Sequence, residues 1–294
     1  MSSIARAWRP NVLLRLLILY AIGILVALIF LMPIFWLVSS SLKTRLMILS
    51  ETGINLIPPI PWQWHNYRDA WTVMPFTIYL RNTIVIAVAS LAGTLLTGSM
   101  VAYGFGRLRF PARNILFAVL LSTLMLPSQV TIIPTFLLFH RLGWINTFWP
   151  LIVPSWVGGG AFYVFLMRQY MTTIPLELDD AAKVDGCSPI GIYRHIILPN
   201  LGPALATASI FTFVSHWNEL FGALIYLIDE ELWTLPRAML TFRQSFADPQ
   251  GIYKEYHLEW LAAMAVLTML PPLLFFLAFQ RYFVRGAVLT GVKG

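Results

Sequence analysis

Cysteine is almost missing: Cys187 is the only one in 294 residues, so no disulfide can close within the chain and no thiolate metal cage can form. Charge is scarce too. Asp, Glu, Lys and Arg make up 11% of the residues, against roughly 25% in soluble proteins. Too little polar surface remains to clothe a water-soluble fold of this length. No Gly-Lys-Ser/Thr of a Walker A motif occurs, and the triplet Gly158, Gly159, Gly160 lacks it, so any ATP hydrolysis is expected on a partner. Neither Gly-x-Ser-x-Gly nor His-Glu-x-x-His is present, which leaves a membrane-embedded hydrolase as a thin alternative. His216 and Glu219 lie close together, but two ligands without a third seldom hold zinc, and no metal is expected. An ion-driven secondary transporter, the other alternative, needs internal ion sites and often inverted repeats. Glu219 alone suggests the first, and no repeat is visible. The net charge of +7 is scattered between apolar runs, not gathered on a face for nucleic acid.

What the chain has instead is apolar length, 58% hydrophobic residues. The run 13–38 is too long for a signal-peptide core and predicts a retained, lipid-facing transmembrane helix. Residues 39–75 hold Pro58, Pro59, Pro61, Trp62, Trp64 and Trp71, the composition of an interfacial segment with short helices. A second span, 80–104, carries two rows of small residues at helical spacing, Ala89, Gly93, Thr97 and Thr94, Gly98, Ala102, which predicts close helix approach. The third, 115–138, contains Pro127 and Pro134, with Ser128, Gln129 and Thr131 beside them. The fourth, 148–167, is expected to unwind locally at its glycine triplet, and the last, 260–279, to break at Pro271 and Pro272. A fifth span, 201–227, contains Trp217, Asn218 and Glu219. At ~1.5 Å per residue Glu219 would lie ~27 Å along it, near the far side of a ~30 Å hydrocarbon layer. An all-α membrane protein of six spans follows.

The most informative stretch is 173–200. Pro175 suits a helix start and Glu177, Asp179 and Asp180 its positive end. Gly186 stops the helix; Ser188 caps a second one whose first position is Pro189. Helix, glycine turn, helix is expected. Pro175, Glu177, Leu178, Asp180, Ala181, Ala182, Asp185 and Gly186, followed by Ile196, Leu198 and Pro199, resemble the "EAA" cytoplasmic loop of permease subunits in binding-protein-dependent ABC importers. Asp180 replaces that family's usual glutamate. Met125-Leu126-Pro127, Trp217-Asn218 and the tail Gln280 to Gly286 with Gly291 and Lys293 are similar to the carbohydrate-uptake class of these permeases.

The resemblance implies the type I importer permease fold and a division into 1–79, with the first helix and an external segment; 80–286, a core holding the coupling loop 170–200; and a tail, 287–294. It implies a sugar, oligosaccharide or polyol/glycerol-phosphate cargo, a second related permease, a separate ATPase dimer that holds ATP and Mg, and an extracytoplasmic binding protein. This chain would need no cofactor. Glu177, Asp180, Ala181, Ala182, Asp185, Gly186 and Cys187 would contact the ATPase, as would Gly291 and Lys293. Ser128, Gln129, Asn218 and Glu219 would line the path. Displacement of the loop would rock the third to sixth spans. Arg107, Arg109 and Arg113 crowd one short connection, and the positive-inside bias then puts this connection, the loop and both termini in the cytoplasm; the resemblance implies a bacterial or archaeal cytoplasmic membrane.

Overall fold

The computed structural model describes residues 10–245 and 257–291, with side chains at 14–127, 130–245 and 257–281. Fifteen α-helices are described. α1 (Pro10–Ser41), α2 (Arg45–Ser50) and α3 (His65–Thr72) come first, then α4 (Phe76–Arg107), α5 (Arg113–Ser122) and α6 (Ser128–Arg141). α7 (Trp149–Trp156), α8 (Ala161–Met171), α9 (Glu177–Val184), α10 (Pro189–Ile192) and α11 (Leu198–Asn200) follow. α12 (Gly202–Trp217), α13 (Phe221–Tyr226), α14 (Leu235–Ser245) and α15 (Leu258–Gly291) complete the order. No strand occurs among the described residues.

Among the described residues four stretches are long and apolar enough to cross a membrane, and there are up to six if each of two bent helix pairs is one span. The bent pairs are Arg113–Met125 with Val130–Arg141, and Pro189–Asn200 with Gly202–Trp217 at 76°. α1 is apolar on every side and none of its spanning window is buried, as suits a helix surrounded by lipid. Two compact units group the chain, Met1–Met74 with Arg243–Thr268 and Pro75–Phe242 with Met269–Gly294.

Within the second unit α4 is the central helix, packed against α7, α8 and α12. Its small-residue rows do what their spacing predicts. A Cβ placed on Gly93 would stand 2.5 Å from the Trp156 ring, and one on Gly159 would stand 2.8 Å from the Gly98 Cα and the Thr94 carbonyl oxygen. Polar groups stitch the crossing: Ser90 Oγ donates to Leu151 O (3.1 Å) and Trp156 Nε1 to Ala89 O (3.1 Å). The fourth span unwinds between α7 and α8, where Gly158, Gly159 and Gly160 have φ of 84°, 70° and 88°.

Two expectations need correction. Pro271 and Pro272 lie inside α15 without ending it; the freed carbonyls are tolerated in a membrane helix where local adjustment and neighbours satisfy them. The fifth span is not one helix to residue 227. α12 ends at Trp217, where the Asn218 backbone N–H and its Nδ2 both donate to Val214 O (3.1 and 2.9 Å). Its 16 residues reach ~24 Å, so Glu219 stands past the helix end instead of ~27 Å along it.

Candidate functional site

The stretch 173–200 folds as helix, turn, helix. Leu176 O accepts the N–H groups of Asp179 and Asp180 at 3.0 and 3.1 Å, and the carboxylates of Glu177, Asp179 and Asp180 occupy the first turn of α9, where the helix dipole favours them. At the other end Cys187 N donates to Ala182 O (2.9 Å) and Gly186 N to Lys183 O (3.0 Å), with Gly186 at φ 79°. This pair of bonds is a Schellman closure, and its left-handed residue is the glycine. Ser188 Oγ then accepts from Gly191 N (3.2 Å) and Pro189 opens α10. A π turn, Tyr193–Ile197, and α11 lead into α12.

Two faces of the hairpin differ. Asp179 and Ala182, one turn apart, point inward; Ala182 joins a core with Tyr103, Met171, Ile192 and Ile197. Asp179 meets Arg107 from the last turn of α4, Nη1 to Oδ2 at 3.5 Å, with side chains only 6% and 3% exposed. Arg107 Nη2 also donates to Met171 O (2.8 Å) and Ile174 O (2.6 Å). In return Arg168 of α8 donates from Nε to Phe105 O of α4 (3.2 Å) and covers the Phe117 ring at 4.1 Å. The hairpin therefore stands on a base tied by two arginines. Arg107 entered the sequence reading only as a topology charge and Asp179 only as a dipole partner.

The outward face presents Glu177, Asp180, Ala181, Asp185, Gly186 and Cys187, all exposed. Among them stand large apolar side chains, Leu176, Leu178, Val184 (87% exposed) and Ile190 (77%). Lys183 Nζ donates to Asp180 Oδ1 (2.8 Å), and this hydrogen bond and the ammonium charge hold the Asp180 carboxyl below its ordinary range. Ala182, named with them as an ATPase contact, is buried in the chain's own core.

At the end of α12, Trp217 is fully buried and stacks on Phe213 (5.5 Å), Asn218 is exposed, and Glu219 Oε1 accepts from Gly222 N (2.7 Å), capping α13. His216 Nε2 lies 3.2 Å from Ser155 Oγ. The side chains of Ser128 and Gln129 are outside the described residues, as is Lys293; Gly291 closes the described part of α15. Among the described residues no three His, Cys, Asp or Glu side chains come together as a metal site.

The family described as "Binding-protein-dependent transport system inner membrane component" matches residues 94–288, a range that holds the whole hairpin. The chain belongs to this family. The permease is 33% identical over 274 residues to the arabinooligosaccharides transport system permease protein AraQ of Bacillus subtilis, covering 92% of this chain and 93% of that one. It is 36% identical over 233 residues to the sn-glycerol-3-phosphate transport system permease protein UgpE of Pectobacterium atrosepticum, covering 76% and 79%. The fold is shared with a solved bacterial ABC transporter involved in the import of the acidic polysaccharide alginate. That likeness has TM-score 0.77 and 22% identity, and covers 94% of the permease and 99% of that chain. The permease is thus a multi-pass membrane subunit of an ABC importer, with the type I importer fold expected of its loop.

Proposed function

We propose that the permease is one of two related membrane subunits of an ATP-driven importer for a sugar, oligosaccharide or glycerol phosphate, and that 173–200 couples it to a separate ATPase. The cargo class rests on the names of its relatives, arabinooligosaccharide and glycerol-3-phosphate permeases. The coupling role is carried by one observation: a helical hairpin on a tied base that exposes Leu176, Leu178, Val184 and Ile190 beside Glu177, Asp180 and Asp185. Apolar side chains standing out of a charged hairpin beyond the spans mark a protein-binding surface. Docked in a cleft of the ATPase, this surface makes the state of the membrane path depend on nucleotide, as linkage between two sites requires. Cys187 and Gly186 lie at its tip, and the tail residues Gly291 and Lys293 add a second contact. The hairpin and both termini face the cytoplasm, with the binding protein on the other side. Asn218 and Glu219, at the break after α12, line the path with Ser128 and Gln129.

The test is purification from native membranes with the ATPase, the second permease and the binding protein, then a screen of arabinooligosaccharides, other sugars and glycerol 3-phosphate against the binding protein. Val184→Asp alters only an outward side chain, so the variant should insert normally and lose its ATPase on detergent extraction. Firm retention of the ATPase by this variant would overturn the docking assignment.

A further inference from the structure

Three side chains on one face of α4 reach the hairpin at three separate points. Ser99, Tyr103 and Arg107 recur every fourth residue, so they stack in a single stripe along the last turns of the helix. Ser99 Oγ lies 2.8 Å from Tyr193 Oη, in the π turn. Tyr103 Oη donates to Pro189 O (3.0 Å), at the start of α10, and its ring packs on Tyr193 with centroids 5.3 Å apart. Arg107 meets Asp179 in α9. Both arms of the hairpin are thereby fastened to one helix, and none of the fastenings uses its outward face.

We propose that Ser99, Tyr103 and Arg107, with Asp179, form the joint that passes displacement of the hairpin into α4, and are positioning residues for coupling. The proposal rests on the docking reading above. Apolar contacts such as that of Ala182 allow packed helices to slide in small shears, whereas directional bonds at three points of the hairpin oblige α4 to follow. α4 then carries the motion into the core through its glycine-lined crossing with the α7–α8 span. The Arg107–Asp179 rung also has travel in it. Arg107 Nε and Asp179 Oδ1 are both buried without a hydrogen-bond partner, and the 3.5 Å separation of Nη1 and Oδ2 exceeds a charge-assisted bond of about 2.8 Å. A shift of about 0.7 Å would bring Nη1 to that distance from Oδ2. The buried pair can thus tighten or loosen with a small movement of the hairpin.

The complete transporter is reconstituted in liposomes with its binding protein purified without refolding, so that it carries its own ligand, and ATP hydrolysis is measured with and without the binding protein. Asp179→Asn should keep its ATPase and its basal hydrolysis while stimulation by the binding protein drops about tenfold, a typical size for coupling between distant sites. Asp179→Glu, which restores the charge, should recover stimulation, and Tyr103→Phe, which deletes one hydroxyl, should lose part of it. Undiminished stimulation in Asp179→Asn overturns the joint, and so does a loss accompanied by release of the ATPase, because a merely structural role produces that. Should Asp179→Asn fail to accumulate, Tyr103→Phe and Ser99→Ala decide: full stimulation in both refutes the proposal. Loss of the ATPase in Val184→Asp alongside normal stimulation in Asp179→Asn rejects the joint and leaves docking standing. Retention in Val184→Asp, or no stimulation of the unsubstituted transporter, removes the docking reading and the joint with it.

Discussion

Gly159→Ala probes whether backbone contact sets the crossing of α4 with the fourth span. Gly159 has φ 70°, and an added Cβ would stand 2.8 Å from both Gly98 Cα and Thr94 O. These are backbone atoms, which cannot rotate away. Gly158, its neighbour, has φ 84°, yet its added Cβ would find only Val101 Cγ2, at 3.8 Å. Both alanines bear the left-handed backbone penalty of about 1–2 kcal/mol. Only Gly159→Ala adds overpacking, worth about 1–3 kcal/mol. The expected destabilisation is therefore about 2–5 kcal/mol at Gly159 and about 1–2 kcal/mol at Gly158. Gly98→Ala is the control on the facing helix: its Cβ would meet the flexible Met167 Cε at 3.0 Å, and alanine is the better helix former by about 1 kcal/mol, so the net change should be small. Thermal unfolding of the solubilised permease, followed together with the amount inserted in the membrane, reads the order. Equal midpoints for the Gly158 and Gly159 variants, or a Gly98 variant as damaged as Gly159→Ala, would refute the backbone-contact argument.

Cys187 is the only cysteine and is exposed, so in the permease produced without its ATPase an impermeant maleimide should spare it in sealed right-side-out vesicles and modify it rapidly once they are opened; rapid modification in both would reverse the orientation. Glu219→Leu removes the acceptor that holds Gly222 N, a hydrogen bond worth about 0.5–1.5 kcal/mol, and should alter uptake with assembly intact. Glu219→Gln keeps the acceptor and should preserve α13, and normal uptake in both variants takes Glu219 out of the path.

Much of the hairpin was legible because its signals are local. Gly186 needs no neighbour to favour a left-handed closure, and Ser188 with Pro189 announces a helix start wherever it is placed. The small-residue rows of α4 were legible for the same reason, since helical spacing alone brings Gly93 and Gly98 onto surfaces where another helix can approach. The third dimension decided which of two adjacent carboxylates serves the fold. Asp179 and Asp180 differ by one step of about 100° around α9, and only the position of α4 makes the first a buried partner of Arg107 and leaves the second to Lys183 at the surface. Hydropathy likewise could not show where an apolar run stops being helix. The run 201–227 is interrupted where Glu219 N turns to His216 O, three residues back, and the Glu219 side chain accepts from Gly222 N, whereas α15 continues through two prolines. Composition and spacing determined that the chain spans a membrane and carries a helical hairpin. Tertiary packing decided which face of that hairpin is free, because burial of a side chain depends on the helix that lies opposite it.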